Sequence, residues 1–320
     1  MPAMKDLLSK LAARLATIGG AIALAFSPGA QAQVAPDTPE VAAAEAANDN
    51  AERPSGPALW KVSDGDTTIY LFGTIHALPK DVDWFKGPLK EAFESSDTLV
   101  TEVLVDGQSP AQLQKTVIEL GTLPEGQTLR DLLSPEQRTR YEAAIAKLGF
   151  PVATFDRFEP WYAAMMFSMV PLLQQGYAPD AGVEKVLSAA NAPGKQVAEL
   201  ESIDQQLAMF DQLPQENQVS YLMEVIDGID EIKPTIDQMV AEWLEGDADG
   251  LAVLMNEGMS DPVVIDRLLY QRNRTWAKWI DKRLEQPGTV FVAVGAGHLA
   301  GKDSVQADLE KMGLTVERIQ

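Results

Sequence analysis

Strand-like segments lie near both ends of this 320-residue chain, and a long helical region separates them. The predicted strands, which are apolar and β-branched runs bounded by turn residues, are Leu59–Val62, Thr68–Phe72, Thr98–Val105, Thr289–Val294 and Leu314–Ile319. Between them, roughly residues 108–285 show helical periodicity and helix-capping signals. This distribution predicts an α/β fold, in which a mixed central sheet is built from the N- and C-terminal strands and carries a large helical insertion.

Local signals place several turns and helix starts. An Asp-Gly pair at residues 64–65 predicts that the first two strands form a hairpin. Residues 134–137 combine a capping box with proline at the first helical position, and Asp261 followed by Pro262 predicts another helix start. A helix over residues 304–312 separates the last two strands, so we expect them to form a parallel crossover of the usual right hand.

The first 32 residues have the order of a secretory signal peptide. Lys5, Lys10 and Arg14 precede the uncharged run Leu15–Phe26, and an Ala-x-Ala site ends at Ala32. The apolar run is too short to span a bilayer, although an uncleaved anchor or amphipathic arm is the alternative. We therefore predict an exported protein, periplasmic or secreted, with a disordered linker over 33–57 and a single domain over 58–320. The apolar segment 161–173 contains a proline and is expected to be a core helix, which leaves no integral membrane segment after signal cleavage.

Composition excludes several function classes. The chain has 26 basic and 47 acidic residues, a formal net charge of -21, so nucleic acid is not an expected partner. Cysteine is absent, which rules out disulfides, thiolate ligands and a cysteine nucleophile. The sequence also lacks a P-loop, an H-E-x-x-H motif and a G-x-S-x-G motif. Only two histidines are present, so histidine chemistry must use one or both of them.

Both histidines follow predicted strands in Gly-x-x-His units, Gly73–His76 and Gly295–His298. In open α/β sheets, ligands bind at the carboxyl ends of strands, where glycines let the backbone turn and let a ligand approach. Glu102 lies in a third predicted strand among apolar neighbours, where a carboxylate needs a partner. Two imidazoles and a carboxylate on three strand ends predict a divalent-metal site. The alternatives are structural histidines and a solvent-facing Glu102.

Further polar residues are ranked behind these three. Arg272 falls on the apolar stripe of its predicted helix, so its partner is either an intramolecular carboxylate or a bound substrate. Asn273, beside it, is a candidate substrate contact. Glu201 precedes a second capping box and is expected to support the cap rather than bind a metal. Glu184, with Asp180, is expected to be a favourable charge in the first turn of a helix.

These residues together make the chain resemble the TraB/GumN (TraB/PrgY/GumN) family, over roughly residues 59–316. The matching segments are Gly73–His76, Glu102, Leu200–Gln206, Arg272–Trp276 and Val292–Gly301. Ser202 stands where the family usually has threonine. The resemblance implies a divalent-metal site formed by His76, Glu102 and His298. It also relates the chain to the Tiki-type metalloproteases and, more distantly, to erythromycin esterases and a haem-binding lipoprotein.

Three function classes follow from these features. The first is a hydrolase of peptides or small molecules that uses Mn²⁺, Co²⁺ or Zn²⁺, with Glu102 as ligand or general base and Arg272 at the transition state. The second is a periplasmic protein that binds haem or another ligand through the histidines. The third is a non-catalytic interaction module with the same fold.

Overall fold

The computed structural model describes residues 55–79, 82–104, 110–178, 181–258 and 260–320. The expected signal peptide and nearly all of the expected linker lie outside these ranges. In the described ranges, no helix combines the length and the apolar character that crossing a membrane requires.

A six-stranded mixed sheet forms the centre of the domain. Its strands are β1 (Leu59–Ser63), β2 (Thr67–Thr74), β3 (Thr98–Thr101), β4 (Gln196–Glu199), β5 (Gly288–Gly295) and β6 (Val316–Arg318), in the order β4-β3-β5-β2-β1-β6. Strand β1 is antiparallel to both neighbours, whereas the β2–β5, β5–β3 and β3–β4 pairs are parallel. The predicted α/β fold with a mixed sheet built from both ends of the chain is confirmed.

The sheet differs from the expected one in three details. Strand β4 lies inside the segment expected to be wholly helical, and its four residues show little apolar pattern because it is a largely exposed edge. Strand β3 ends at Thr101, so Glu102 follows the strand instead of lying within it. Strands β5 and β6 run in the same direction, but β2 and β1 lie between them.

Twelve helices are described around this sheet. They are α1 (Gly87–Ser95), α2 (Pro110–Leu120), α3 (Pro135–Lys147), α4 (Pro160–Gln174), α5 (Val183–Ala190), α6 (Ile203–Asp211), α7 (Gln215–Asp227), α8 (Ile232–Glu245), α9 (Ala248–Gly258), α10 (Pro262–Ile265), α11 (Gln271–Leu284) and α12 (Val305–Lys311). The capping box predicted at α3 is present, because Ser134 and Gln137 each accept from the other's backbone N–H at 3.2 and 2.9 Å. A π-helical turn, Asp266–Tyr270, joins α10 to α11. Such turns replace regular helix at many functional sites.

Both faces of the sheet are covered. Alternate residues of β5 point to opposite sides, so that Val290, Val292 and Val294 pack with Trp276 and Ile280 of α11. The intervening side chains pack under the helices of the insertion. Helix α4 is buried along most of its length, and its methionines at 165, 166 and 169 belong to that core, as expected. A sheet buried on both faces gives a rigid base for the loops at its carboxyl edge.

Candidate functional site

The carboxyl ends of three parallel strands bring the predicted site residues to one edge of the sheet. Thr74 at the end of β2 is aligned with Gly295 of β5, and Thr101 of β3 with the neighbouring Ala293. His76, Glu102 and His298 lie on the segments that leave these three ends. Strand register therefore collects residues that are far apart in the sequence.

Gly295 lies in the middle of the three side chains. Its N–H donates to Glu102 Oε1 at 2.6 Å. A Cβ placed on Gly295 would lie 3.1 Å from Glu102 Oε1, 3.5 Å from His298 Cδ2 and 3.7 Å from His76 Nε2. His298 Nε2 is 3.8 Å from Glu102 Oε1. The absence of a side chain at Gly295 thus leaves the space that these groups surround.

The hydrogen bonds of His298 identify its tautomer. Asn273 donates through Nδ2 to the carbonyl of Asp303 at 2.7 Å, which turns its Oδ1 toward His298 Nδ1 at 2.5 Å. Because an amide oxygen only accepts, Nδ1 carries the proton and Nε2 presents a lone pair. Arg272 Nη1 donates to that Nε2 at 3.0 Å. Burial and the guanidinium of Arg272 together hold the pKa of His298 well below its usual value, so this ring is neutral.

His76 has the same arrangement with a different partner. Its Nδ1 lies 2.8 Å from Glu184 Oε1, and the same oxygen accepts from the hydroxyl of Thr74. The Nε2 atom of His76 is buried and has no hydrogen-bond partner among the residues that the structure describes. Burial opposes the charged form of the ring, but the carboxylate of Glu184 outweighs it and raises the pKa of His76. An unpartnered buried imidazole nitrogen is the kind of atom that a ligand or an ion would satisfy.

Glu184 was expected only as a first-turn charge, and it does lie in the first turn of α5. Its contact with His76 was not foreseen from the sequence. The two residues are far apart along the chain, and no motif spacing connects them. They come together because α5, a helix of the insertion, packs against the loop that carries His76.

Glu102 is ionised and held by several donors. Arg272 Nη2 donates to its Oε2 at 2.6 Å, and Gln206 Nε2 donates to the same oxygen at 3.0 Å. Burial alone would raise the pKa of this carboxyl, but the guanidinium of Arg272, the imidazole of His76 and the Gly295 N–H lower it to about 2. A carboxylate that is this weakly basic accepts a proton poorly near neutral pH.

Arg272 lies between two buried carboxylates. Its Nε atom donates to Glu201 at 3.0 and 3.1 Å, Nη1 donates to the carbonyl of Leu268 in the π-helical turn, and Nη2 reaches Glu102. Arg272 is 4% exposed, and its guanidinium carbon lies 4.6 Å from the centre of the Trp276 ring. Of the two partners considered for Arg272, the structure contains the intramolecular carboxylates. Its role toward a substrate remains a prediction.

Of the remaining ranked residues, Asp180 lies outside the described ranges, and Asn273 and Glu201 are turned inward. Asn273 is completely buried, and the contacts of its amide with His298 and Asp303 hold that histidine in place. The predicted capping box at the start of α6 is formed by Ser202 and Gln205. Glu201 precedes this box, and its side chain binds Arg272 and Trp276 Nε1 instead of the cap.

The donor atoms around Gly295 are of the types that divalent metals prefer, but they are not arranged as a metal site. In the part of the chain that the structure describes, no group of three His, Asp or Glu side chains is placed to hold an ion. Two imidazole lone pairs and one carboxylate nevertheless match the ligand preference of Zn²⁺, Co²⁺ and Mn²⁺. Both Nδ1 atoms are tied to oxygen acceptors, as is usual for metal-binding histidines. The residue types therefore fit such an ion. An ion bound to His298 Nε2 would have to replace the hydrogen bond from Arg272 to that atom.

Comparison with known proteins gives distant but extensive matches. An Escherichia coli (strain K12) protein named "Uncharacterized protein YbaP" is 25% identical over 250 residues, which cover 78% of this chain and 90% of that protein. An uncharacterized protein of Treponema pallidum (strain Nichols) is 22% identical over 263 residues, 77% of this chain and 78% of its own length. The zebrafish (Danio rerio) protein named "Metalloprotease TIKI1" is 24% identical over 312 residues, 81% of this chain and 62% of its own length. No solved structure gives a significant match.

A family model matches nearly all of the domain. The match covers residues 58–318, from just before β1 to the end of β6, and so includes both Gly-x-x-His units and Glu102. The zebrafish relative supports the relation to Tiki-type proteins that the motifs indicate. This chain belongs to the TraB/PrgY/gumN family.

Proposed function

We propose that this protein is an exported, divalent-metal-dependent hydrolase that acts on peptide bonds. The observation that supports it most is the meeting of three side chains around Gly295, where His76 Nε2 and the ring of His298 lie beside the Glu102 carboxylate. The relative named as a metalloprotease supports the choice of peptide substrates. The N-terminal charge pattern, apolar run and Ala-x-Ala site support export.

His76, Glu102 and His298 would hold the ion. A bound divalent metal would supply a Lewis acid for the scissile carbonyl and lower the pKa of a coordinated solvent molecule. Glu102 is assigned the role of ligand instead of base, because its lowered pKa makes it a weak proton acceptor. Asn273 keeps the Nε2 lone pair of His298 turned toward the site, and Arg272 holds Glu102 in place.

The charge of the buried cluster also favours a cation. Glu102 and Glu201 are two buried carboxylates that share one guanidinium, so these three residues have a net charge of -1. His298 is neutral and does not compensate it, and His76 is already paired with the carboxylate of Glu184. A buried net negative charge is costly unless a cation neutralises it. A divalent ion beside Glu102 would do so.

The direct experiment is elemental analysis of protein that was exported and purified without an affinity tag. We expect about one divalent metal per chain, and hydrolysis of a mixed peptide library that stops when a chelator removes the metal and resumes with Mn²⁺, Co²⁺ or Zn²⁺. A folded protein that neither contains nor takes up metal would contradict the proposal. A Soret band in the purified protein would instead favour the haem-binding alternative.

Replacing Gly295 with alanine is expected to weaken metal binding about tenfold or more while the protein stays folded. Gly295 has φ -49° and ψ 134°, a negative-φ conformation that does not require glycine. The new Cβ, however, would fill the space between Glu102 and the histidines. Competition with a coloured chelator measures the affinity. The matched control is Gly65→Ala, where nothing lies within 4 Å of the added Cβ. Equal affinities in the two variants would place the ion elsewhere.

A further inference from the structure

The two histidines of the site are held by acceptors of different charge. The Nδ1 atom of His298 faces the neutral amide of Asn273, whereas that of His76 faces the carboxylate of Glu184. The Nε2 lone pairs differ as well, since that of His298 accepts from Arg272, whereas that of His76 has no partner in the described part of the chain. The two rings therefore differ in their hydrogen-bond partners, and the charged partner Glu184 is present only at His76.

Several contacts fix Glu184 relative to His76. The N–H of Val183, which precedes Glu184, donates to the carbonyl of Ile75 at 3.0 Å, so the start of α5 is bonded to the loop that carries His76. Thr74, two residues before His76, also donates its hydroxyl to Glu184. Glu184 thus accepts hydrogen bonds from two residues of the same segment, Thr74 and His76. This geometry restricts the rotation of the carboxylate and of the imidazole ring together.

We propose that Glu184 is a positioning residue, which fixes the Nδ1–H tautomer of His76 and makes His76 the stronger of the two histidine ligands. A neutral imidazole carries one proton, and a carboxylate can only accept, so Nδ1 must be the protonated nitrogen. The lone pair is then on Nε2, which faces Gly295. Without Glu184 the proton can move to Nε2, where it would point into the space between the ligands. The ligand half of this proposal rests on the proposed function, whereas the tautomer half does not.

Helix charge offers a simpler role for Glu184. An acidic side chain in the first turn of a helix interacts favourably with the helix dipole, wherever it points. Asp204 has the same place in the first turn of α6 and is exposed. Asp204→Asn therefore removes a first-turn charge without touching His76, and it is the matched control.

Nuclear magnetic resonance of the metal-free full chain tests the tautomer directly. Because the chain has only two histidines, long-range ¹H–¹⁵N spectra contain two imidazole patterns, and a His298→Gln variant assigns them. At pH 9 we expect the Nδ1–H form for His76 in the unaltered protein and in Asp204→Asn. Glu184→Ala should give the Nε2–H form or a mixture, with the pattern of His298 unchanged. A His76 pattern that is the same in Glu184→Ala as in the unaltered protein would overturn the proposal.

Metal affinity forms the second arm, measured with Co²⁺ or Zn²⁺ against a chelator. We expect a 10- to 100-fold loss for Glu184→Ala, a smaller loss for Glu184→Gln, whose amide oxygen can still accept, and no more than a twofold change for Asp204→Asn. If the alanine variant does not fold, Glu184→Leu, which has a similar volume and no hydrogen-bond acceptor, serves both arms. If the tautomer changes as expected but the unaltered protein binds neither ion, the proposed function fails and the positioning role stands. If the unaltered protein binds metal and Glu184→Ala binds it equally well, Glu184 does not strengthen His76 as a ligand, and that half of the proposal is wrong.

Discussion

Replacing Arg272 with methionine should destabilise the metal-free protein by about 3–5 kcal/mol, because Glu102 and Glu201 would stay buried without their cation. Methionine keeps much of the volume and flexibility of the arginine stem, so the lost charge and hydrogen bonds dominate the effect. Urea unfolding, followed by tryptophan fluorescence and circular dichroism, measures the free energy of unfolding.

A double-mutant cycle separates the ion pair from general damage to the core. Adding Glu201→Gln to Arg272→Met should recover part of the loss, because one of the two unpaired carboxylates is then removed. The free energy of unfolding of Arg272→Lys should lie between that of the unaltered protein and that of Arg272→Met. A lysine keeps the charge but not the forked contacts with both carboxylates. A stable Arg272→Met protein that has lost only its hydrolytic activity would assign Arg272 to the substrate instead.

Substituting either histidine with glutamine should lower metal affinity more than a hundredfold and abolish metal-dependent hydrolysis. His298 is 1% exposed and its ring centre lies 4.3 Å from that of Trp276, so its replacement should also reduce stability. His76 lies in a more open position, and its replacement should leave the unfolding free energy nearly unchanged. Elemental analysis of each purified variant, together with chelator competition, gives the result.

Carboxylate variants provide the comparison for these histidine changes. Glu102→Gln should weaken the binding of metal, whereas Glu94→Gln should not, because Glu94 is an exposed partner of Lys90 on the surface of α1. Unchanged metal content in both histidine variants would show that this cluster is not the metal centre.

Much of the candidate site follows from strand positions that a sequence reveals. Gly-x-x-His units after two apolar runs, with a glutamate near the end of a third, predict one shared edge because parallel strands end together. The apolar stripe around Arg272 likewise predicts a buried guanidinium. The identity of its partner does not follow, because Glu201 comes from a distant segment whose approach depends on how the whole insertion folds.

The features that sequence reasoning missed depend on tertiary packing alone. Strand β4 has four mostly exposed residues and no alternating pattern, so pairing with β3 determines its conformation more than its own composition does. The π-helical turn before α11 could not be recognised, because the spacing of the leucines and tryptophan there fits a regular α-helix nearly as well. Glu184 reaches His76 only because α5 packs against the loop after β2.

The pairing of β2 with β5 determines when a newly made chain can acquire its site. Strand β2 ends at Thr74 and β5 starts at Gly288, so the middle of the sheet closes only after most of the chain has been synthesised. Contacts between segments this distant in sequence form slowly, whereas the helices of the insertion depend largely on nearby residues. A nascent or truncated chain that stops before β5 would contain His76 and Glu102 but not His298. We therefore expect any metal binding by this cluster to require the completed chain, with β5 paired to β2.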